Sequence, residues 1–350
     1  MYQRLLFVLF ALALTSGCTT TPDLSEWAKS SQELKDSVSS SQQNMLVKVN
    51  QSVLDLKQGN KEGWQNIEQE LTTWGESQAD FAKHVAEIHT SLTIMVAYAN
   101  ELSALASASE GGEEASDSLF ESMTGILEVV SAPFTGSQAA LEGSKAIVDK
   151  VSEIVTRIQG QKSLYASMVE MQPAVDLMSD EIIISSRLLD QLVTQSAYLQ
   201  RKILLLQYGR NKQFFSNKLF NQTYTNIEKL YRDGIDPDEP TKINATKINA
   251  FLGVQERLRD DYRQYLDNID AIKNWRDASS AQLQAVILAS EQWRQAHQEA
   301  VALLKKCGGM RSLRKECGHL SIENLKSSID WVKDTASKFK GEDDASSDTE

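Results

Sequence analysis

Phe81-Ala82-Lys83-His84-Val85-Ala86-Glu87-Ile88-His89-Thr90-Ser91-Leu92-Thr93-Ile94-Met95-Val96-Ala97-Tyr98-Ala99-Asn100-Glu101-Leu102-Ser103-Ala104-Leu105-Ala106 decides the fold class. Phe81, Val85, Ile88, Leu92, Met95, Ala99, Leu102 and Ala106 recur on alternating three- and four-residue steps. A step averaging about 3.5 residues keeps one apolar stripe of a helix facing a partner helix.

The same seam extends towards the N-terminus through Leu24, Trp27, Ser31, Leu34, Val38, Ser41, Met45, Val49, Ser52, Leu56, Ile67, Leu71 and Trp74. As one helix it would reach roughly 120 Å. Gly59, Gly63 and Gly75 are the expected bends, since each costs about 1 kcal/mol relative to Ala. Serines on its first third predict a looser segment, open to another helix.

Further helices follow. The break Ser109 to Glu114 precedes a short amphipathic helix bearing Leu119, Phe120, Met123, Ile126, Leu127 and Val130, which ends at Pro133-Phe134. A third long seam runs from about Ser137 through Ile147, Val151, Ile154, Ile158 and Met168. Pro173 is expected to kink or split it, because proline lacks an N–H and clashes with the preceding turn. The pattern resumes from Val175 to Leu206, stops at Tyr208-Gly209, and yields a shorter helix with Phe214, Phe215, Leu219 and Tyr224. Asp233 to Pro240 is a linker. A last long seam runs from Ile248 to Cys307, and Ser321 is the expected N-cap of a final helix bearing Ile322, Leu325, Ile329 and Val332.

The expectation is therefore an all-α fold: an elongated antiparallel bundle of long, coiled-coil-like helices with shorter helices packed alongside. Residues 24–340 form a single bundle, and 341–350, rich in acids and serine, form a disordered acidic tail.

Composition agrees. The chain has 350 residues, five prolines and a net charge of −12. So acidic a protein lacks the basic face that nucleic acid requires. After Cys18 no apolar run is long enough to cross a bilayer.

The first residues carry an address. Arg4 precedes the apolar run Leu5 to Leu14, roughly 15 Å as a helix and too short to span a hydrocarbon core. Small residues Thr15-Ser16-Gly17 then lead to Cys18, so residues 1–17 read as a secretory signal peptide. Ser16-Gly17-Cys18 resembles the lipobox of bacterial lipoproteins, although Thr15 stands where that family prefers an aliphatic residue. The resemblance implies cleavage before Cys18, lipidation of its sulfur, a tether over 18–23 and membrane attachment through the lipid. Thr19, rather than Asp, implies delivery to the outer membrane, on its periplasmic face or the cell surface.

Removing Cys18 from the count leaves Cys307 and Cys317, a close pair expected to form a disulfide in an oxidising envelope. Lys305, Lys306, Arg311, Arg314 and Lys315 surround that loop. They are a candidate site for a polyanion such as a lipid phosphate or an acidic protein, against the simpler reading of charge compensation at a helix C-terminus. Leu119, Phe120, Met123, Ile126, Leu127 and Phe134 are candidates for contact with a membrane or partner, against the simpler reading that they cover the end of the bundle.

No catalytic set is expected. Ser312-Leu313-Arg314-Lys315 matches Ser-x-x-Lys without the other motifs of that chemistry. His84 and His89 lie five residues apart, not on one helix face, so no metal is expected there and both read as solvated. His297 reads as a core histidine with one hydrogen-bond partner. No cofactor is expected. The function expected is that of a structural or interaction module with an envelope protein partner, or as a homo-oligomer. The order of a very long helix, an apolar insert and a return helix is also similar in layout to the pore-forming toxins of the cytolysin A type, which implies membrane activity as an alternative.

Overall fold

The computed structural model describes residues 23–59, 67–107, 113–131, 138–159, 161, 163–213, 240–308 and 320–347. They form seven helices: α1 (Ser25–Gly59), α2 (Ile67–Ser107), α3 (Glu113–Ser131), α4 (Gln138–Val155), α5 (Leu164–Gln213), α6 (Pro240–Gly308) and α7 (Glu323–Ser347). The expected all-α bundle is what the chain forms.

The seam from Leu24 to Ala106 is not one rod. It is two helices, α1 and α2, that run antiparallel. Asn50 bonds to Gln78, Ser39 lies against His89, and Trp27 meets Tyr98 edge-on, so one number falls as the other rises. α1 ends at Gly59 and α2 begins at Ile67, whereas Gly75 sits inside α2. The half-seams match because each apolar stripe can bury against the other, which a single extended helix could not arrange.

The third seam, expected to run on to Met168, ends at Val155, and Pro173 lies inside α5 without dividing it. Two tight bonds stop α4, from Arg157 N–H to Ile154 C=O (2.9 Å) and from Ile158 N–H to Val155 C=O (3.1 Å). Ser163 then starts α5: its Oγ accepts the Ala166 N–H at 3.2 Å, a regular N-cap bond. Pro173 and Val169 both face solvent, so water can serve the carbonyl that proline leaves unbonded. α5 also passes through the expected stop at Tyr208-Gly209 and reaches Gln213.

The remaining differences are at the C-terminus. The carbonyl of Ile322, not Ser321, accepts the first bond of α7, from Lys326 N–H at 2.9 Å. The backbone of α7 continues to Ser347, through most of the segment expected to be a disordered tail. The expected short helix at 214–231 and the linker before Pro240 lie outside the described residues.

Four long helices, α1, α2, α5 and α6, enclose the core. The α3–α4 hairpin packs on α2 and α5, and α7 packs on α1 and α6. α5 and α6 are antiparallel, with Gln172 opposite His297, Ser179 opposite Ser290 and Tyr208 stacked on Tyr265. α7 runs parallel to α1, with Lys326 paired to Glu26 and Lys333 to Glu33.

The serines on the α1 seam do admit another helix, and it is α6 of the same chain. Ser31 Oγ donates to the Trp27 carbonyl and accepts the Trp293 indole N–H at 2.8 Å. Ser41 Oγ accepts from Gln282 Nε2 at 2.9 Å, and Gln282 Oε1 in turn takes the Thr335 hydroxyl of α7. Small side chains at these positions leave room for the large ones opposite, and Trp27 stacks on Trp293 at 5.1 Å. This segment is packed, not loose.

Candidate functional site

Among the buried polar groups of the described residues, two clusters contain both a histidine and further hydrogen-bonded side chains from other helices. The first begins at Tyr98 on α2. Its hydroxyl lies 2.8 Å from His297 Nε2, and His297 Nδ1 lies 2.9 Å from Gln172 Oε1. Gln172 Nε2 donates to Asp176 Oδ1 at 2.9 Å. That last bond turns the carbonyl oxygen of Gln172 towards His297, so Nδ1 must carry the proton and Nε2 must accept from Tyr98. Burial pushes the His297 pKa down to about 3 and raises that of Tyr98 well above its ordinary value. The imidazole is neutral at physiological pH.

The row ends at the surface, where Asp176, Asp180, Glu291, Arg294, Gln295 and Gln298 line a shallow polar groove of about 720 Å³ between α5 and α6. Arg294 spans it to Asp180 at 2.8 Å.

The second cluster centres on Glu87 of α2, which is 8% exposed. Its Oε2 accepts from His84 Nδ1 and from Ser185 Oγ, each at 2.7 Å, and Lys83 lies 3.9 Å from Oε1. Burial alone would raise the Glu87 pKa. The hydrogen bonds from His84 and Ser185, with the charges of His84 and Lys83, more than offset this and leave it below the ordinary value. His84 is therefore not solvated, as the sequence suggests, but bound to a buried carboxylate. His89 is also largely buried beside Ser39, and burial lowers its pKa.

Ser185, His84 and Glu87 have the residue types of a hydrolytic triad but the wrong connections. The serine proton goes to the carboxylate, and one imidazole nitrogen serves both neighbours. A nucleophilic serine instead needs one ring nitrogen while the acid holds the other. In the first cluster both nitrogens of His297 are already engaged. These groups fasten helices to one another.

Among the described residues, no group of three or more His, Cys, Asp or Glu is placed to hold a metal ion. No helix among them is long and apolar enough to cross a membrane.

Leu119, Met123 and Leu127 are buried, and Phe120 and Ile126 pack against the core. In this fold their face packs on the bundle. Lys305 and Lys306 are exposed in the last turn of α6, where cations suit the carbonyl end of the helix dipole. Cys18, Phe134, Arg311, Ser312, Arg314, Lys315 and Cys317 lie outside the described residues, as does the side chain of Cys307, whose backbone belongs to α6.

No protein-family model matches this chain, and neither the curated proteins nor the solved structures contain a significant match.

Sequence reasoning missed the burial of Glu87. The available signal was Gly143: a Cβ there would stand 2.9 Å from Glu87 Cγ. α4 approaches α2 closely because the glycine leaves space for the carboxylate. Periodicity could not report this, because it concerns two helices at once.

Proposed function

We propose that the chain is a lipid-anchored protein of the cell envelope, acting as a structural or protein-interaction module without catalytic activity. One observation carries the reading: the short apolar segment behind Arg4 ends in Ser16-Gly17-Cys18. Each buried CH₂ of an acyl chain contributes about 0.8 kcal/mol, so two or three chains on one cysteine hold firmly. The polar groups of the bundle add support, since both histidine clusters serve to join helices. The oxidising compartment implied by this address pairs Cys307 with Cys317.

Metabolic labelling with a fatty acid tests the anchor. Wild-type chain is expected to carry the label and sediment with outer membranes. Cys18→Ala should lose the label and leave the membrane fraction. An unlabelled wild-type chain would overturn the lipoprotein reading. Cross-linking in intact cells, followed by mass determination, tests the interaction role, and recovery of monomer alone would count against it.

A further inference from the structure

Among the described residues, one face of α5 is covered by no other helix. Asp180, Ile184, Arg187, Gln191, Tyr198 and Arg201 recur at helical spacing along it, and all six are exposed. Ile184 is 50% and Tyr198 67% exposed, although both are large and apolar enough to favour burial. The arrangement is close to symmetric about Gln191. Ile184 and Tyr198 lie about two turns on either side, and Asp180 and Arg201 about three.

We propose that this face binds a second copy of the same chain, α5 against α5, antiparallel about a two-fold axis at Gln191. A two-fold interface brings each residue against its counterpart in both directions. Pairing about this axis sets Ile184 against Tyr198 of the partner and Asp180 against Arg201 of the partner, each twice. The charge order, acid before Ile184 and base after Tyr198, is self-complementary only when the copies are antiparallel. A parallel pair would place Asp180 on Asp180 and Arg201 on Arg201. Asp180 already bonds Arg294 on the same surface, so the facing guanidinium completes an alternating charge row. The contact uses one helix face and is modest in area, which suits an association strengthened when both copies are confined to one surface. It does not depend on the lipid anchor.

Cysteine cross-linking of the full chain in intact cells tests the axis. Gln191→Cys places one thiol opposite its own copy, and a short bis-maleimide should trap a dimer. Gln43→Cys, exposed on α1, carries the same native cysteines and serves as background. The dimer is expected about tenfold above that background. Combined with Gln191→Cys, Asp180→Arg and Arg201→Asp should each cut the yield about fivefold through like-charge contact. Co-expression of the two charge variants should restore it, because each then meets the opposite charge.

A Gln191→Cys yield equal to that of Gln43→Cys would overturn the proposal. So would charge reversals without effect, or a mixture that fails to recover. Should Asp180→Arg unfold for want of its Arg294 bond, Ile184→Glu replaces it. Helical circular dichroism confirms folding, and an unchanged dimer yield would then be equally decisive.

Discussion

The hydroxyl of Tyr98 donates to Nε2 of His297 over 2.8 Å, joining residues 199 positions apart in the chain. Through this bond α2 is tied to α6, and through Gln172 the same imidazole is tied to α5. Because the ring is neutral and buried, the joint depends on pH.

The sign is fixed by the depressed pKa. The unfolded histidine takes up a proton near its ordinary value of about 6.5, whereas the folded one does so only near 3. Stability is therefore complete above about pH 6.5 and falls with acidity through that window, by about 1.4 kcal/mol per pH unit from this residue. Glu87 acts in the same direction: its contribution is present above its ordinary value and is lost as pH falls through its lowered folded pKa. Urea denaturation at pH 7.5, 6, 5 and 4.5 should show the decline. His297→Gln should be less stable at pH 7.5 but lose less between pH 6 and 4.5. Equal slopes for the two proteins would refute the assignment.

Ser31 makes a second prediction. Heptad logic alone favours an aliphatic residue on this seam. Ser31→Leu is nevertheless expected to destabilise by about 1–3 kcal/mol, because it removes the acceptor of the Trp293 N–H and overfills the space beside Trp27. Ser31→Ala should cost about 1 kcal/mol. Urea midpoints measure both, and tryptophan emission should shift with them.

Two helical glycines should respond oppositely to alanine. At Gly143 the new methyl would press on Glu87 Cγ at 2.9 Å and Lys83 Cγ at 3.1 Å, and Glu87 is held by His84 and Ser185. Gly143→Ala should destabilise by about 1–2 kcal/mol, even after its gain in helix propensity. At Gly125 nothing lies within 4 Å, and Gly125→Ala should stabilise α3 by about 0.5–1 kcal/mol. Thermal unfolding of the two variants separates these outcomes.

The apolar face of α3 gives a fourth. Leu119 and Met123 are fully buried, so each change to Ala should cost about 2–4 kcal/mol. Leu205, 56% exposed on α5, should cost under about 0.5 kcal/mol when changed to Ala. Were Leu119→Ala to leave the melting temperature unchanged, α3 would be free to act outside the bundle.

The sequence by itself determined the helices and their inward faces. Leu92, Met95, Ala99 and Leu102 are buried where their spacing puts them, as are Leu283, Val286 and Trp293. A repeat of about 3.5 residues is a local property, written into neighbouring positions and legible without knowing the partner. It could not say that Leu24 to Ala106 doubles back, because the two halves of a hairpin carry the same repeat as a straight rod. Nor could it place the helix break at Ser163 ahead of Pro173, since a proline facing water is tolerated where a buried one is not. The tertiary structure alone decided that Ser185 meets Glu87, that His297 meets Tyr98, and that the serines of α1 receive Trp293 and Gln282. Unlike the local His84–Glu87 pair, which Ser185 of α5 completes, those bonds join residues far apart in the chain, and only the register of whole helices brings them within reach.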